Sequence, residues 1–385
     1  MLDTVILRLP HSQYKVLLPE RWSLVSTKRN PNGILVCEIF ANNRTPEEKR
    51  LKIYRPRLTR IAQRGRDEHM KIEFSVQVIL FGHTLQEASE VDFDNVLNIL
   101  LKSIREMGIS TTEEFLRYAK VTNFQPAKNL PISGGYIVSG IIKDMTKIVL
   151  TEKMQMDVKD YKNGGHGIQF YAESNALTIY DKIKDLEKNQ KDAYDHDQEF
   201  QQDALFDFMQ QKRKPEVARV EARLCQKVKI NSVMSNLGFP TNPTFSDIFK
   251  DEVCKKILLD YFQRFIEPSF FVFTVDESPQ RILQSLLQNS KRMSVDEAVK
   301  LVALKLLCKD ECGVKGLRKI VETRASKRKW QRVAKQLKTL NQKIALKSCY
   351  GYISEIKKTL QQFKPYRLEK AEKLYTSHVH NSPVS

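Results

Sequence analysis

A mixed α+β fold is predicted, with a sheet flanked by helices in the N-terminal part and a mainly helical part after it. Three features of the 385-residue chain carry that prediction. Segments with period-two alternation recur from Leu2 to Leu224. Stretches with apolar residues at three- and four-residue steps lie between them from Asp92 onward. After Asn242 the pattern is helical, one segment after another. The expected organisation is a domain over 1–235, with a helical insertion at about 181–215, and a helical, basic domain over 236–385 whose polar tail begins near 367.

The strands and helices can be taken in order. Val5, Leu7 and Leu9 alternate in a first strand that Pro10 stops. Gly33–Phe40 reads as a second strand, and Leu51–Tyr54 as the start of a third in a strongly basic setting. Lys71–Leu80 is the clearest strand of this half, with Glu73 and Ser75 on one face and Ile72, Phe74 and Val76 on the other, ending at the Gly82-His83-Thr84 turn. Asp92–Met107 repeats Phe93, Val96, Leu97, Leu100 and Ile104 at helical spacing, and Gly108 is a fitting stop. A short helix over Thr111–Ala119, capped by Thr111 or Thr112, leads to Val121-Thr122-Asn123-Phe124.

Ile168–Ala172 and Ala176–Tyr180 form two strands around a Ser174-Asn175 turn, and a helix capped by Asp181 follows at once. A polar helical segment over Ile183–Lys214 precedes the strand Val217–Leu224. In that strand Ala218, Val220, Ala222 and Leu224 share one side, and Arg219, Glu221 and Arg223 the other. Three charges on one strand face imply either an exposed sheet edge or partners for each charge. Helices are then expected over Ile248–Ile266, Arg281–Gln288, Ser294–Leu307 and Val314–Val321.

Composition limits the partners. Lys and Arg total 64 against 46 Asp and Glu, a net charge of +18, which suits a polyanion such as DNA, RNA or an anionic membrane surface. No apolar run approaches the ~18 residues of a membrane span, and Met1–Pro10 lacks a signal-peptide layout, so no membrane partner is expected and the cytoplasm is the expected location. Cys37, Cys225, Cys254, Cys308, Cys312 and Cys349 are scattered and read as reduced, structural thiols. No P-loop, dinucleotide turn, Ser or Cys nucleophile signature or zinc spacing occurs, and the sole His-x-His pair is His378-Val-His380 in the tail. The densest cationic run, Arg324, Lys327, Arg328, Lys329 and Arg332, surrounds Trp330. It reads as a solvated helix face or as a DNA-binding helix-turn-helix across Cys312–Leu340.

Tyr180 stands at a strand end beside a helix start, where unpaired N–H groups attract phosphate, with Lys182 two residues on. Such a phenol is placed to attack a phosphodiester, although a structural strand tyrosine is the commoner meaning of that spacing.

The blocks MLDTVILRLP, KIEFSVQVILFGHTLQE, DFDNVLNILLKSIREMGI, LTIYDKIKDLEK, KPEVARVEARL and TFSDIF, in this order over most of residues 1–265, resemble the replication-initiator nicking protein of filamentous phages and related phage and plasmid replication proteins. The resemblance implies rolling-circle initiation in a bacterial host. A tyrosine nicks one strand at a double-stranded origin, holds the 5′ phosphate covalently, and later rejoins the displaced single strand. A host helicase is a further expected partner.

Carried onto this chain, the family's tyrosine falls on Tyr180, its lysine on Lys182 and its glutamate on Glu221. Mg²⁺ or Mn²⁺ would be held by Glu221, with Asp181 and Glu73 as lesser ligand candidates. Lys182 and Arg219 would neutralise the transition-state charge. Arg219, Arg223, Arg324, Lys327, Arg328, Lys329 and Arg332 would contact DNA. Asn123 stands where relatives often carry Asp or His, which removes a charge from the expected metal site. The alternative function is a non-catalytic origin-binding protein or repressor that keeps the fold.

Overall fold

The fold is described from a computed structural model that covers residues 1–385 except 52, 149–154, 188–214, 275–277, 289, 291–292, 311–312, 326, 344–348 and 369–385. The chain is a mixed α+β protein built on a large antiparallel sheet. Its strands are β1 (Leu2–Pro10), β2 (Lys15–Val16), β3 (Trp22–Arg29), β4 (Leu35–Asn42), β5 (Arg57–Gln63), β6 (Arg66–Ser75), β7 (Ile109–Ser110), β8 (Lys120–Pro131), β9 (Gln155–Asp160), β10 (His166–Ala172), β11 (Asn175–Asp181) and β12 (Val217–Leu224). Ten of them form one sheet in the order β3-β4-β5-β6-β1-β8-β12-β11-β10-β9, and β2 pairs with β7 separately.

The central strands are held by burial of their alternate residues. Val5, Leu7 and Leu9 of β1 are fully buried, as are Ala222 and Leu224 of β12. The amphipathic helix Phe93–Glu106 contributes Val96, Leu97, Leu100 and Ile104 to the same core. Helices Asp251–Phe265 and Gly351–Gln362 join it through Ile257, Leu258, Tyr261, Ile353 and Ile356. One apolar core therefore runs across residue 235, where the sequence predicts a domain boundary. A second, smaller core gathers Phe271, Leu301, Leu317, Trp330, Leu337 and Leu340 from the helices after residue 266.

Several elements differ from their sequence expectations. The strand expected to continue to Leu80 ends at Ser75, and Val76–Phe81 is helical. The Ser75 hydroxyl accepts the Val78 amide as an N-cap, and Gly82 at φ +72° closes the turn. Burial of Val76 and Val78 outweighs their β preference. The strand expected to begin at Leu51 is β5, which starts at Arg57 after Pro56. Residues Pro46–Arg50 are instead a helix fixed by a Thr45/Glu48 capping box. The expected Ile248–Ile266 run divides into Phe245–Ile248, capped by Thr244, and Asp251–Phe265.

Strand β12 lies between β8 and β11, so its Arg-Glu-Arg face is not at a sheet edge. Lys182–Leu186 is helical, and the rest of the expected 181–215 helical insertion lies outside the described residues from 188. The tail expected from 367 lies outside them from 369, and so does Cys312. Cys37, Cys225, Cys254, Cys308 and Cys349 are free thiols. Among the described residues no helix is long and apolar enough to cross a membrane.

Candidate functional site

Tyr180 projects from the face of the sheet opposite the main core. In register it stands opposite Arg219 of β12 and Gly167 of β10, and Arg219 stands opposite Asn129 of β8. One residue type is sterically required here. A Cβ at Gly167 would come within 2.9 Å of the Tyr161 hydroxyl and 3.3 Å of the Tyr180 Cβ, so the glycine makes room for both rings.

The polar groups on this face are joined. The Tyr180 hydroxyl donates to Glu221 Oε1 at 2.7 Å, and Arg219 Nε donates to the same oxygen at 2.6 Å. Arg219 is 0% exposed, and its guanidinium also donates to Asn129 Oδ1 and to the Thr84 carbonyl, both at 3.1 Å. Its Nη2 lies 3.3 Å from Asp3 Oδ1. Lys182 is 3% exposed; its ammonium sits 5.5 Å from the centroid of the Tyr180 ring and 3.5 Å from Asp185. Tyr180 and Asp3 are partly exposed residues of the cluster, while the Tyr180 hydroxyl itself is directed inward onto Glu221.

Burial decides the protonation states. It pushes the Tyr180 phenol well above 10, and the Glu221 charge adds to this. The phenol is therefore neutral at rest and needs a proton acceptor to become a nucleophile. Burial alone would also raise the Glu221 carboxyl, but Arg219, the Tyr180 hydrogen bond and Lys182 together hold it below its ordinary value. Burial raises Asp3 despite Arg219. Burial likewise lowers the Lys182 ammonium, against the pull of Asp185. His83 is lowered to about 4 by burial and by Lys182, so it is neutral beside the cluster.

A second buried group supports Arg219. Glu87 accepts from Lys128 Nζ at 2.6 Å and from the Asn129 amide at 2.5 Å, while Asn129 Nδ2 donates to the Leu85 carbonyl at 2.6 Å. The segment near the C-terminus closes over this group. The Tyr366 amide donates to Glu87 Oε2 at 2.7 Å, and the Glu87 amide donates to the Tyr366 carbonyl at 3.0 Å. Leu85, Ile183, Leu186 and Val217, with Tyr366 and Leu368 against them, form the apolar cover.

The site residues expected from sequence thus divide. Tyr180, Lys182, Arg219 and Glu221 are brought together. Asp181 is turned to the helix that it caps, where its Oδ1 accepts the Lys184 amide at 3.0 Å. Glu73 lies on β6 opposite Ile6, and Asn123 lies opposite Ile6 from the other side, so the two flank one isoleucine on the same sheet face. Asn123 Oδ1 is buried with no hydrogen-bond partner among the described residues.

Among the described residues no three His, Cys, Asp or Glu side chains converge as metal ligands. The carboxylates of Glu221 and Asp3 both face the Arg219 guanidinium instead. Glu221, Asp181 and Glu73 do not fit a preformed Mg²⁺ or Mn²⁺ site. Arg223 is exposed at the far end of β12. Arg324, Arg328, Lys329 and Arg332 are exposed on the helices Gly313–Arg324 and Lys327–Lys343, and Lys327 begins the second of these.

Asp3, His83, Glu87, Lys128 and Asn129 were not singled out by sequence. Asp3 precedes the alternating part of β1, and the others belong to apolar or turn segments, so only the fold shows that they meet. No protein-family model matches the chain, and no curated protein matches it.

Proposed function

We propose that this chain is a tyrosine-dependent DNA strand-nicking and strand-joining enzyme of the rolling-circle initiator type. The observation that supports it most is the hydrogen bond from the Tyr180 hydroxyl to the ionised Glu221, with Lys182 over the ring and Arg219 behind the carboxylate. A partly exposed tyrosine whose hydroxyl is joined to a buried, charged acceptor is the pairing that nucleophilic attack on phosphorus requires.

In the proposed reaction the Tyr180 oxygen attacks the scissile phosphorus while its proton passes to Glu221. The new O–P bond leaves a 5′-phosphotyrosine, and the bond from phosphorus to the 3′ oxygen breaks. The departing 3′ oxygen takes up a proton, for which the Lys182 ammonium, 5.5 Å from the centroid of the phenol ring, is the donor. Lys182 also offsets charge on the five-coordinate phosphorus. Arg219 holds Glu221 charged and oriented, and is itself held by Asp3, Asn129 and the Thr84 carbonyl. Rejoining is the reverse: an incoming 3′ hydroxyl gives its proton to the Lys182 amine as it attacks phosphorus, the bond to Tyr180 breaks and its oxygen takes back the proton held by Glu221, so the transfer needs no nucleotide hydrolysis. The exposed cations Arg223, Arg328, Lys329 and Arg332 supply DNA contacts in this reading.

The test is incubation of the purified protein with supercoiled DNA carrying the candidate origin of its own replicon, with Mn²⁺, with Mg²⁺ and with chelator. Relaxed circles and a covalent protein–DNA adduct are expected, and comparison of the three conditions shows whether a divalent ion is recruited together with DNA. Binding with no nick in any condition would refute the enzyme reading and leave an origin-binding protein.

A further inference from the structure

A second site lies on the helical side of the sheet, away from Tyr180. A cavity of about 470 Å³ is lined by Tyr136, Tyr350 and Tyr352, by the helix Val138–Met145 and by its Lys143. Pockets of this size accept small organic groups. Its back wall is aromatic and fixed. Tyr352 is 2% exposed, donates to Asp144 Oδ2 at 2.9 Å, stacks on Tyr350 at 5.6 Å and 15°, and meets Tyr136 edge-on at 5.1 Å and 77°. The Gly351 amide donates to the Tyr136 hydroxyl at 3.4 Å, which ties the second ring to the same wall.

The mouth is open and cationic. Tyr136 and Tyr350 are partly exposed, Ile137 is 59% exposed, and Gly140 on the rim carries no side chain. Asp144 is engaged by Tyr352 and by Lys147 at 3.7 Å. Lys143 on the same rim is exposed and forms no ion pair among the described residues.

We propose that this pocket takes an unstacked base of single-stranded DNA, with the adjoining phosphate on Lys143. Rigid aromatic rings offer a face to any base, and a neighbouring ammonium matches the backbone, the combination by which single strands are held without duplex readout. The net charge of +18 favours a polyanion over a neutral aromatic ligand. The site is independent of the Tyr180 chemistry, so it stands or falls separately from that reading.

The test uses the full chain and a single-stranded oligonucleotide containing 2-aminopurine, with anisotropy for affinity and quenching of the probe for stacking. Gly140→Leu fills the cavity from an exposed helix position, where a Cβ meets only Ile137 at 3.4 Å. Lys143→Gln removes the exposed charge. Gly140→Leu is expected to weaken binding about 5- to 150-fold and abolish quenching. Lys143→Gln is expected to lower the slope of log affinity against log salt by about 0.7. Duplex of the same sequence should not be affected by Gly140→Leu. Unchanged affinity and quenching in both correctly folded variants would overturn the proposal. Equal competition by a free deoxynucleoside monophosphate would overturn it too, in favour of a nucleotide pocket.

Discussion

Replacing Glu221 by Gln tests the heart of the site, because the substitution keeps the shape and removes only the charge. Glu221 Oε1 receives Tyr180 at 2.7 Å and Arg219 at 2.6 Å, both inside a buried cluster. Two consequences follow, one for stability and one for chemistry. Arg219 keeps Asp3 as a charge partner, so the fold survives. Two bonds lose their charged acceptor, at a cost of about 1–1.5 kcal/mol each, against the ~3–5 kcal/mol of a buried pair broken outright. The proton acceptor is gone, which lowers the nicking rate about 10²- to 10⁴-fold.

The stability difference also has a definite pH window. Glu221 titrates below its ordinary 4.5 in the folded chain. Its contribution is therefore present above that value and is lost as pH falls through the folded pKa. Urea titrations of both proteins at pH 7 and at lower pH, beside single-turnover nicking of an oligonucleotide, measure both effects. A variant that nicks at the parental rate would refute Glu221 as the base. A stability gap that widened as pH fell would refute the charge assignment.

Three further outcomes are expected. His83 is buried neutral with a pKa of about 4 against 6.5 unfolded, so the folded chain should lose about 3 kcal/mol as pH falls from 6.5 towards 4. His83→Gln should flatten that part of the stability curve measured by urea unfolding. Changing Arg328, Lys329 and Arg332 together to Gln should weaken DNA binding and reduce the salt slope by about 0.9 for each phosphate no longer neutralised, with unfolding unchanged; an unaltered slope would make this run a solvated face. A chain stopped at Pro365 lacks the hydrogen bonds from the Tyr366 amide to the Glu87 carboxylate and from the Glu87 amide to the Tyr366 carbonyl, and should be less stable by about 1–3 kcal/mol in urea.

How far the sequence could be read depended on whether an element was held by its own pattern or by its neighbours. VARVEARL was legible to the residue as Val217–Leu224, since alternate residues face a core and a one-residue slip would bury the wrong set. TIYDK was legible to within a residue, the strand running Asn175–Asp181 where Ala176–Tyr180 was expected, because Asp181 caps a helix directly after it. The same alternation misled at Ser75, where a side-chain cap ends β6 although apolar residues continue. That the Arg-Glu-Arg face is internal could not be read, because β8 and β11 cover β12 from both sides only in the fold.

The site divides in the same way. Tyr180, Lys182, Arg219 and Glu221 lie on two adjacent strands or at their ends; pattern placed Tyr180 beside Lys182, and only the resemblance joined Glu221 and Arg219 to them. Asp3 reaches Arg219, and Glu87 reaches Lys128 and Tyr366, only because distant strands and the C-terminal segment meet there. The expected ligands are held apart: Asp181 caps a helix, and Glu73 shares its row with Ile6 and Asn123.

Trapping the covalent intermediate is the decisive experiment for the tyrosine chemistry. The chain is incubated with a single-stranded origin oligonucleotide, resolved under denaturing conditions, and the adduct is mapped by peptide mass. One adduct is expected, on Tyr180, and it should disappear in Tyr180→Phe while DNA binding persists. An adduct on Tyr161 or Tyr171, or nicking that survives Tyr180→Phe, would contradict the proposed role of Tyr180.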